Sequence, residues 1–254
     1  MFSLDRMQQI ISFVNEKEFV TIKELADHIG ISQATIRRDI ARLDEDGQVK
    51  KVPGGVVSIK RSSFQEPALR TKKGSNTEEK ERITDAALQY IHDGEHVIFD
   101  SGITLLTLAK KMNNVKDLTV ITYDMLIAFE LAQFPSINLL MAGGILRKNF
   151  YSFYGYFTEN MFSEMHVNKA FISCDALDTR LGIMSYSIDD ITVKRCILES
   201  ADEVILLCDH SKLDIKIFIN VAPLSAVDRI IIGKEADPAI IAKLRENGVA
   251  VEVV

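Results

Sequence analysis

The stretch 21–57 constrains the fold of this chain most, because its signals for the start and end of helices lie so close together. Thr21 and Glu24 have the spacing of a capping box, which predicts a helix start, and Gly30 is placed to end that helix. Ser32 is placed to cap a second helix directly afterwards. Two helices joined by so tight a turn predict a helix-turn-helix motif.

Apolar residues at helical spacing indicate which faces of these helices are buried. The stripe of a preceding helix consists of Leu4, Met7, Ile10, Ile11 and Val14. The stripe of the helix after Ser32 consists of Ile36, Ile40 and Leu43, and Gly47 is placed to end it. Two short strands then flank Pro53, Gly54 and Gly55, which predicts a wing. We therefore expect a winged helix-turn-helix domain over residues 1–57.

The face opposite Ile36 and Ile40 carries the side chains that DNA recognition requires. Arg37 can donate two hydrogen bonds to a guanine edge, and Gln33 can donate one hydrogen bond to an adenine edge and accept another from it. Ala34 permits close approach to the bases. The hydroxyl and basic groups nearby suit phosphates. The predicted DNA contacts are Thr21, Ser32, Gln33, Ala34, Thr35, Arg37, Arg38, Lys50 and Lys51. A plain three-helix bundle with a solvated basic helix is the alternative.

The charge of the chain is unevenly divided, although the net value of −6 does not suggest a DNA-binding protein. Residues 1–73 contain 13 Lys and Arg against 10 Asp and Glu, a net +3. Residues 74–254 contain 17 against 26, a net −9. Only the first part has a balance that favours a polyanion such as double-stranded DNA.

Residues 58–75 lose periodicity and gather Lys, Arg and Ser, so we interpret them as a linker. From Asn76 onwards the pattern changes to a long helix over 77–91 and then to short apolar strands alternating with helices. The predicted strands are 97–99, 118–122, 137–142, 170–174, 204–208, 230–232 and 249–253. This alternation predicts an α/β domain over 76–254 with a mostly parallel sheet covered on both faces.

Polar residues gather where these predicted strands end, and the carboxyl edge of a parallel sheet is where α/β proteins bind ligands. The turn 100–104 places hydroxyl groups and backbone amides at the start of a helix, as an anion site requires. The predicted effector contacts are Asp100, Ser101, Gly102, Thr104, Thr122, Tyr123, Asp124, Gly143, Gly144, Asp175, Lys194, Asp209 and Lys212. The plain alternative is that these residues only cap helices and form turns.

The chain also resembles the DeoR family of bacterial sugar-metabolism regulators over nearly its whole length. The matching stretches are TIRRDI at 35–40, Leu43, Gly47, VPGG at 52–55, EK at 79–80, DG at 93–94, FDSG at 99–102, GG at 143–144, KAF at 169–171, VKR at 193–195, DHSK at 209–212 and VAPL at 221–224. The resemblance implies a repressor of a sugar-catabolism operon. It also implies a C-terminal domain similar to ribose-5-phosphate isomerase that senses a phosphorylated sugar and releases the operator.

Several residues depart from the family pattern. Pro53 stands where histidine is usual, and Ile103 interrupts a run of threonines after Ser101 and Gly102. Tyr123 and Asp124 stand where Asn-Ser is common, and Met184-Ser185 replaces a Thr pair. These changes bear directly on the identity of the ligand.

Two other functions are compatible with parts of the sequence. Asp175 and Asp178 resemble the paired acids of a sugar-phosphate isomerase, which would make the chain an enzyme with an accessory DNA-binding domain. An aromatic cluster suits the subunit interface of a homo-oligomer, which would be a dimer or a tetramer. It suits the edge of a core equally well. That cluster consists of Phe150, Tyr151, Phe153, Tyr154, Tyr156 and Phe157. We expect a regulator without catalytic residues.

Composition limits the remaining possibilities. The chain has no apolar run of the roughly 20 residues that cross a bilayer and no secretory signal at its start, so we expect a cytoplasmic protein that does not bind membranes. Cys174, Cys196 and Cys208 are odd in number and lie in apolar stretches, which predicts buried free thiols. The histidines have no metal-ligand spacing with the cysteines or with one another, and we expect neither a metal nor a cofactor.

Overall fold

A computed structural model describes residues 3–17, 19–46, 48–52, 54–58 and 76–254 of the chain. The chain divides into two compact units, Met1–Ser75 and Asn76–Val254. Ser58, the first residue of the predicted linker, is instead the last residue of a strand, and the rest of that linker lies outside the described residues. Gly47 and Pro53 lie outside them as well.

The first unit contains three helices and a three-stranded sheet. The helices are α1 (Ser3–Lys17), α2 (Ile22–Ile29) and α3 (Gln33–Glu45). The strands are β1 (Phe19–Thr21), β2 (Val49–Val52) and β3 (Gly55–Ser58), in the antiparallel order β1-β3-β2. The predicted wing is therefore present as β2 and β3, and β1 is a strand that the sequence did not predict.

Local signals explain how α2 and α3 are placed. Thr21 and Glu24 form the predicted capping box of α2, and Gly30 ends that helix with φ +75°, a conformation that glycine adopts without strain. Ser32 caps α3 by accepting the Thr35 amide. The predicted inner stripes pack into one core, with Met7 and Ile11 partly buried against it and the side chain of Leu4 outside the described part. Its fully buried residues include Ile10, Val14, Leu25, Ile36, Ile40 and Leu43.

The second unit is built on a seven-stranded sheet in which every strand pairs in parallel with its neighbours. Its strands are β4 (His96–Phe99), β5 (Leu118–Thr122), β6 (Ile137–Met141), β9 (Val167–Ile172), β12 (Ala201–Cys208), β14 (Arg229–Ile232) and β15 (Ala250–Val253). The order across the sheet is β15-β14-β12-β9-β4-β5-β6. All seven predicted strands are present, with ends shifted by up to three residues.

Helices connect these strands. They are α4 (Thr77–Ala87), α5 (Ile103–Ala109), α6 (Met125–Leu131), α7 (Tyr156–Ser163), α8 (Asp189–Glu199) and α9 (Pro238–Glu246). The predicted helix 77–91 ends as α4 at Ala87 and continues as the 3-10 turn Leu88–Tyr90. Alternate strand residues face opposite sides: Phe99 and Phe171 enter one core, while Ile98 and Ala170 enter the other. The sheet is thus covered on both faces.

Five short strands lie outside the main sheet. A hairpin is formed by β7 (Ile145–Arg147) and β8 (Ser152–Tyr154). A second, antiparallel sheet has the order β10 (Ala176–Asp178), β11 (Gly182–Ser185) and β13 (Ile219–Ala222). The sequence predicted none of the five, since runs of three or four residues carry too little periodicity.

Candidate DNA-binding surface and effector site

The outward face of α3 exposes the residues that the sequence selected for base contacts. Gln33, Ala34, Arg37 and Arg38 are all exposed. The Arg37 guanidinium donates to Gln33 Oε1 at 3.5 Å, so the two side chains lie beside each other one helical turn apart. This contact places two groups capable of paired hydrogen bonds on one surface, which can enter the major groove of DNA.

The hydroxyl groups predicted to meet phosphates also have structural roles. Ser32 Oγ accepts the Thr35 amide at 3.3 Å and lies 3.0 Å from Thr35 Oγ1. Thr21 Oγ1 donates to Glu24 at 2.8 Å and accepts the Glu24 amide at 3.2 Å. The Thr21 amide also donates to the Glu24 carboxylate at 2.8 Å, and this bond, together with that from the Thr21 hydroxyl, lowers the pKa of Glu24. Thr21 therefore fixes the start of α2 in addition to any contact with DNA.

The wing is tied to α3 by its own backbone. Lys50 and Lys51 on β2 are both exposed, and the Lys51 amide donates to Asp44 Oδ1 at 2.9 Å. Asp39 is buried and accepts the Arg6 guanidinium of α1 at 2.6 Å. The guanidinium that pairs with Asp39 therefore comes from α1 and not from the neighbouring arginines of α3.

At the carboxyl edge of the main sheet, the fully buried Asp100 carboxylate after β4 is the centre of a polar cluster. It accepts hydrogen bonds from the Tyr123 hydroxyl, the Lys194 ammonium and, at 2.8 Å, the Ser173 amide. Lys194 Nζ also donates to the Ser173 carbonyl at 3.1 Å. Lys194 of α8 therefore reaches the carboxyl edge of the sheet and contacts the ends of β4 and β9 there.

Asp124, which follows β5, is the second carboxylate of this edge. Its Oδ1 accepts the amides of Leu126 at 2.8 Å and Ile127 at 3.2 Å and so caps α6. Its Oδ2 accepts the Ser101 hydroxyl at 2.8 Å. Burial raises the pKa of Asp124, and these hydrogen bonds, with another from the Gly102 amide, offset the rise only in part.

The turn after β4 depends on a glycine. Gly102 has φ +133°, and a Cβ atom there would lie 2.8 Å from Ser173 Oγ. Ser173 Oγ in turn donates to the Ser101 carbonyl at 2.7 Å. The ends of β4 and β9 are thus in direct contact, and the positive φ at this point of the turn favours glycine.

Five other predicted effector residues lie at or after the ends of β4, β5, β6 and β9. Thr104 and Thr122 are buried, and Thr122 Oγ1 accepts the Asp124 amide at 3.2 Å. Gly143 and Gly144 are exposed after β6, where the Gly143 carbonyl accepts the Thr158 hydroxyl at 3.0 Å. Asp175 follows β9 and accepts the Ser185 hydroxyl at 3.1 Å.

A third acidic cluster follows β12. Asp209 accepts the Asn76 amide group at 2.9 Å and the Ser211 hydroxyl at 2.5 Å, and Lys80 Nζ lies 3.8 Å away. Burial acts to raise the pKa of Asp209, but Lys212 and these partners outweigh it, so the net shift is downward. Lys212 makes no hydrogen bond or ion pair with another described side chain, which leaves its ammonium available to a ligand.

Glu79, Asp209 and His210 have ligand atoms within 4.8 Å of one another, the spacing of a metal site. His210 Nδ1 and Glu79 Oε2 are already 2.6 Å apart, however, and Asp209 has the partners given above. The arrangement works as a hydrogen-bonded cluster between α4 and the 3-10 turn His210–Lys212 without any ion.

The paired-acid alternative meets a structural obstacle at Asp178. Its Oδ1 accepts the amides of Arg180 at 2.8 Å and Leu181 at 2.9 Å, which fixes the turn between β10 and β11. Burial acts to raise the pKa of Asp178, but these amides and Lys216 outweigh it and lower it overall. A carboxylate held ionised in a turn is poorly suited to carry a proton between carbons.

Sequence reasoning missed Ser173, which links Asp100, Ser101 and Lys194. The predicted strand 170–174 included it, whereas β9 ends at Ile172 and makes Ser173 the first residue of the edge. Asn76, Glu79 and His210 were also missed as members of the third cluster. The ranges 79–80 and 209–212 did stand among the family-like stretches, which was the available signal.

The predicted aromatic cluster is divided between surface and interior. Tyr151, Tyr156 and Phe157 are exposed, with Tyr156 at 73% and Phe157 at 74%. Phe150, Phe153 and Tyr154 are half-buried.

Of the three free thiols, Cys174 and Cys208 are buried with sulfurs 3.8 Å apart, and Cys196 is half-buried. No helix in the described ranges is both long and apolar enough to span a membrane.

A winged helix-turn-helix with an exposed basic recognition helix, followed by a separate α/β unit, defines a DNA-binding transcriptional regulator with a sensor domain. Two family models match: the DeoR-like helix-turn-helix domain over residues 6–62 and the DeoR C terminal sensor domain over residues 75–234. The chain belongs to the DeoR family.

Its relatives extend over the whole chain. An uncharacterized HTH-type transcriptional regulator of Bacillus subtilis, YulB, is 32% identical and covers 100% of this chain and 98% of its own. The putative aga operon transcriptional repressor of Escherichia coli O157:H7 is 30% identical, and the match covers 98% of this chain and 93% of that repressor. The transcriptional repressor GlcR of Bacillus subtilis is 32% identical, and the match covers 98% of this chain and 95% of GlcR.

Solved structures resemble the chain only distantly. A D-ribose-5-phosphate isomerase in complex with phospho-erythronic acid has a TM-score of 0.41 at 17% identity and covers 54% of each chain. A transcriptional regulator from Streptococcus pneumoniae has a TM-score of 0.43 at 12% identity, covering 66% of this chain and 86% of its own.

Proposed function

We propose that the protein represses a sugar-catabolism operon and that a phosphorylated sugar bound to residues 76–254 weakens its hold on the operator. The exposed face of α3, with Gln33 and Arg37 side by side, is the observation that carries the DNA-binding half. Relatives such as the putative aga operon transcriptional repressor support the repressor role. The sugar context is what the resemblance to the DeoR family implies. As a regulator of bacterial DNA, the protein would act in the cytoplasm.

In the proposed DNA complex, α3 lies in the major groove. Gln33 and Arg37 read base edges there, and Ala34 lets the helix approach the bases. Ser32, Thr35 and Arg38 contact phosphates, Lys50 and Lys51 follow the backbone from the wing, and Thr21 supports the start of α2. The exposure of the basic side chains supports these roles.

In the proposed effector complex, the ligand lies on the carboxyl edge formed by β4, β5, β6, β9 and β12. Asp100, Tyr123 and Lys194 are buried together and act mainly by holding the edge in shape. Lys212, which has no hydrogen-bonded or ion-paired partner among the described residues, supplies the charge for an anionic group. Ser101, Gly143, Gly144 and Asp175 are accessible enough to contact hydroxyl groups of the sugar.

The same reasoning favours sensing over catalysis. Asp178 fixes a turn, so the paired acids of the enzyme alternative are not both available. Turnover of the signal would also work against a fused DNA-binding domain. We therefore propose that the protein binds its effector without converting it.

We further propose that the protein assembles as a homo-oligomer. Helix-turn-helix regulators use two copies to contact two half-sites. Tyr156 and Phe157, each about three-quarters exposed at the start of α7, are suitable interface residues because large aromatic side chains are enriched in interfaces. Sedimentation of the full chain should show a dimer or tetramer, and Tyr156→Ser with Phe157→Ser should shift it towards monomer.

The central test combines operator binding with a panel of sugar phosphates. The protein should protect a discrete sequence upstream of a sugar-catabolism operon, and one sugar phosphate should weaken that complex. A ligand and DNA that oppose each other must do so reciprocally, typically by about 5–150-fold. Lys212→Ala should lose the response to the ligand and keep operator binding. Protection of no discrete sequence would contradict the DNA-binding half, and an operator complex that no sugar phosphate weakens would contradict the sensing half.

A further inference from the structure

The hydrogen-bond donors of the Ser101–Gly102 turn converge on one carboxylate. Asp124 Oδ2 accepts the Ser101 hydroxyl at 2.8 Å, and the Gly102 amide donates to the same side chain. Its Oδ1 accepts the Leu126 and Ile127 amides at the start of α6. Four donors from two strand ends thus surround an anion that belongs to the chain itself.

A ligand phosphate at this turn would need these same groups. Backbone amides and hydroxyl groups at a strand-to-helix turn are the donors that bind phosphate in α/β proteins. Here they are already satisfied, and the side chain that satisfies them is 4% exposed and therefore firmly enclosed. A second anion beside it would also meet a like charge at short range, which is costly in a partly buried site.

The side chains around the Ser101–Gly102 turn do not offset the negative charge of Asp124. The Asp100 carboxylate lies on the same turn, and the ammonium of Lys194 is already bound to Asp100. Lys212, on the 3-10 turn after β12, lowers the pKa of Asp209 and makes no ion pair at this turn. The turn itself therefore presents acceptors to a ligand.

We propose that Asp124 is a built-in anion that closes the Ser101–Gly102 turn to phosphate, so that the effector meets this turn with hydroxyl groups. This inference rests on the proposed function of the carboxyl edge as the effector site. The ligand is then a polyhydroxylated compound that presents its hydroxyl end to the turn. The phosphate of a phosphorylated sugar would lie at the other side of the site, towards Lys212.

Inorganic phosphate is the probe that tests the closed turn. Asp124→Ser removes the carboxylate and retains a side chain that caps helices well, so α6 keeps its start. Asp237→Ser is the matched control, because Asp237 caps α9 through the Ala239 amide at 2.8 Å on an exposed part of the same unit. Calorimetric titration of the three full-length proteins should show phosphate affinity at least about tenfold higher for Asp124→Ser than for the other two.

A second measurement needs no variant. In the 15N-labelled wild-type protein, millimolar phosphate should leave the amide resonances of Ser101 and Gly102 unchanged. Shifts that saturate at these two amides would overturn the proposal, and so would equal phosphate affinity of Asp124→Ser and wild type. Operator binding is measured on the same proteins without ligand. Because operator binding does not involve the turn, its loss would contradict the regulator function, whereas the phosphate results test only the closed turn.

Discussion

The Lys194 ammonium on α8 donates a hydrogen bond to the Asp100 carboxylate at the end of β4, 94 residues earlier in the chain. Their side chains are 8% and 0% exposed. The Tyr123 hydroxyl and the Ser173 amide complete the shell of the carboxylate. Four segments of the sensor unit therefore meet at one buried ion pair.

Removing the lysine should destabilise this unit strongly. Lys194→Met leaves the Asp100 charge buried without its cation, which typically costs about 3–5 kcal/mol. Urea unfolding measures the change, with Lys110→Met at an exposed position as the control. The double variant Asp100→Asn with Lys194→Met should recover part of the loss. Equal unfolding midpoints for Lys194→Met and Lys110→Met would show that the pair contributes little.

Arg37→Ala should weaken operator binding and relax the sequence preference at one base pair. Loss of a paired contact to a base costs about 1–3 kcal/mol. Competition binding against operators changed at each position measures both effects. Arg42→Ala is the control, because Arg42 is exposed on the same helix in its last turn, away from the end that enters the groove. An equal loss on operator and random DNA would contradict base reading by Arg37.

Lys51→Ala should weaken binding to every DNA sequence alike. A lysine that neutralises one phosphate contributes about one unit to the slope of log affinity against log salt concentration. A salt titration of the variant should therefore give a shallower slope, while the ratio of operator to random binding stays unchanged. Lys110→Ala, in the other unit, should keep the slope of wild type. A changed ratio would instead indicate that Lys51 reads bases.

Asp124 should make stability depend on pH in a definite direction. Burial raises its pKa in the folded protein above the unfolded value of about 3.9. As pH rises from about 4, the unfolded chain releases this proton first, so the free energy of unfolding falls. The fall ends once the pH has passed the folded-state pKa, and the loss then stays constant. Asp124→Asn cannot titrate. Urea unfolding at pH 4 and pH 7 should show wild type losing stability relative to the variant, and a constant difference would contradict the assignment.

The elements that the sequence predicted best are those with strong local signals. Thr21 with Glu24, Gly30 and Ser32 determine where α2 and α3 begin and end, because caps act within one helical turn. Apolar runs such as 118–122 likewise specify buried parallel strands. The hairpin of β7 and β8 has no such signal, since its strands form by pairing with each other and with Tyr123 and Asp124 after β5.

The site was predicted as a set of positions but not as a set of partners. Strand ends identify which residues share an edge, so Asp100, Asp124 and Lys194 could be grouped from sequence. Which of them neutralise one another depends on the direction of each side chain in the packed fold. The pairing of Lys194 with Asp100 and the capping of α6 by Asp124 are tertiary outcomes of that kind.

The contact between Gly102 and Ser173 has a practical consequence for anyone who wishes to retarget this sensor to a new inducer. Randomising the turn alone would fill a library with inactive clones, because position 102 has φ +133°, which other residues rarely adopt, and a Cβ there would lie 2.8 Å from Ser173 Oγ. The useful design keeps the glycine fixed and places the diversity at Ser101, Asp124 and Asp175. Biosensor engineering would then search only sequences that the sheet edge can accommodate.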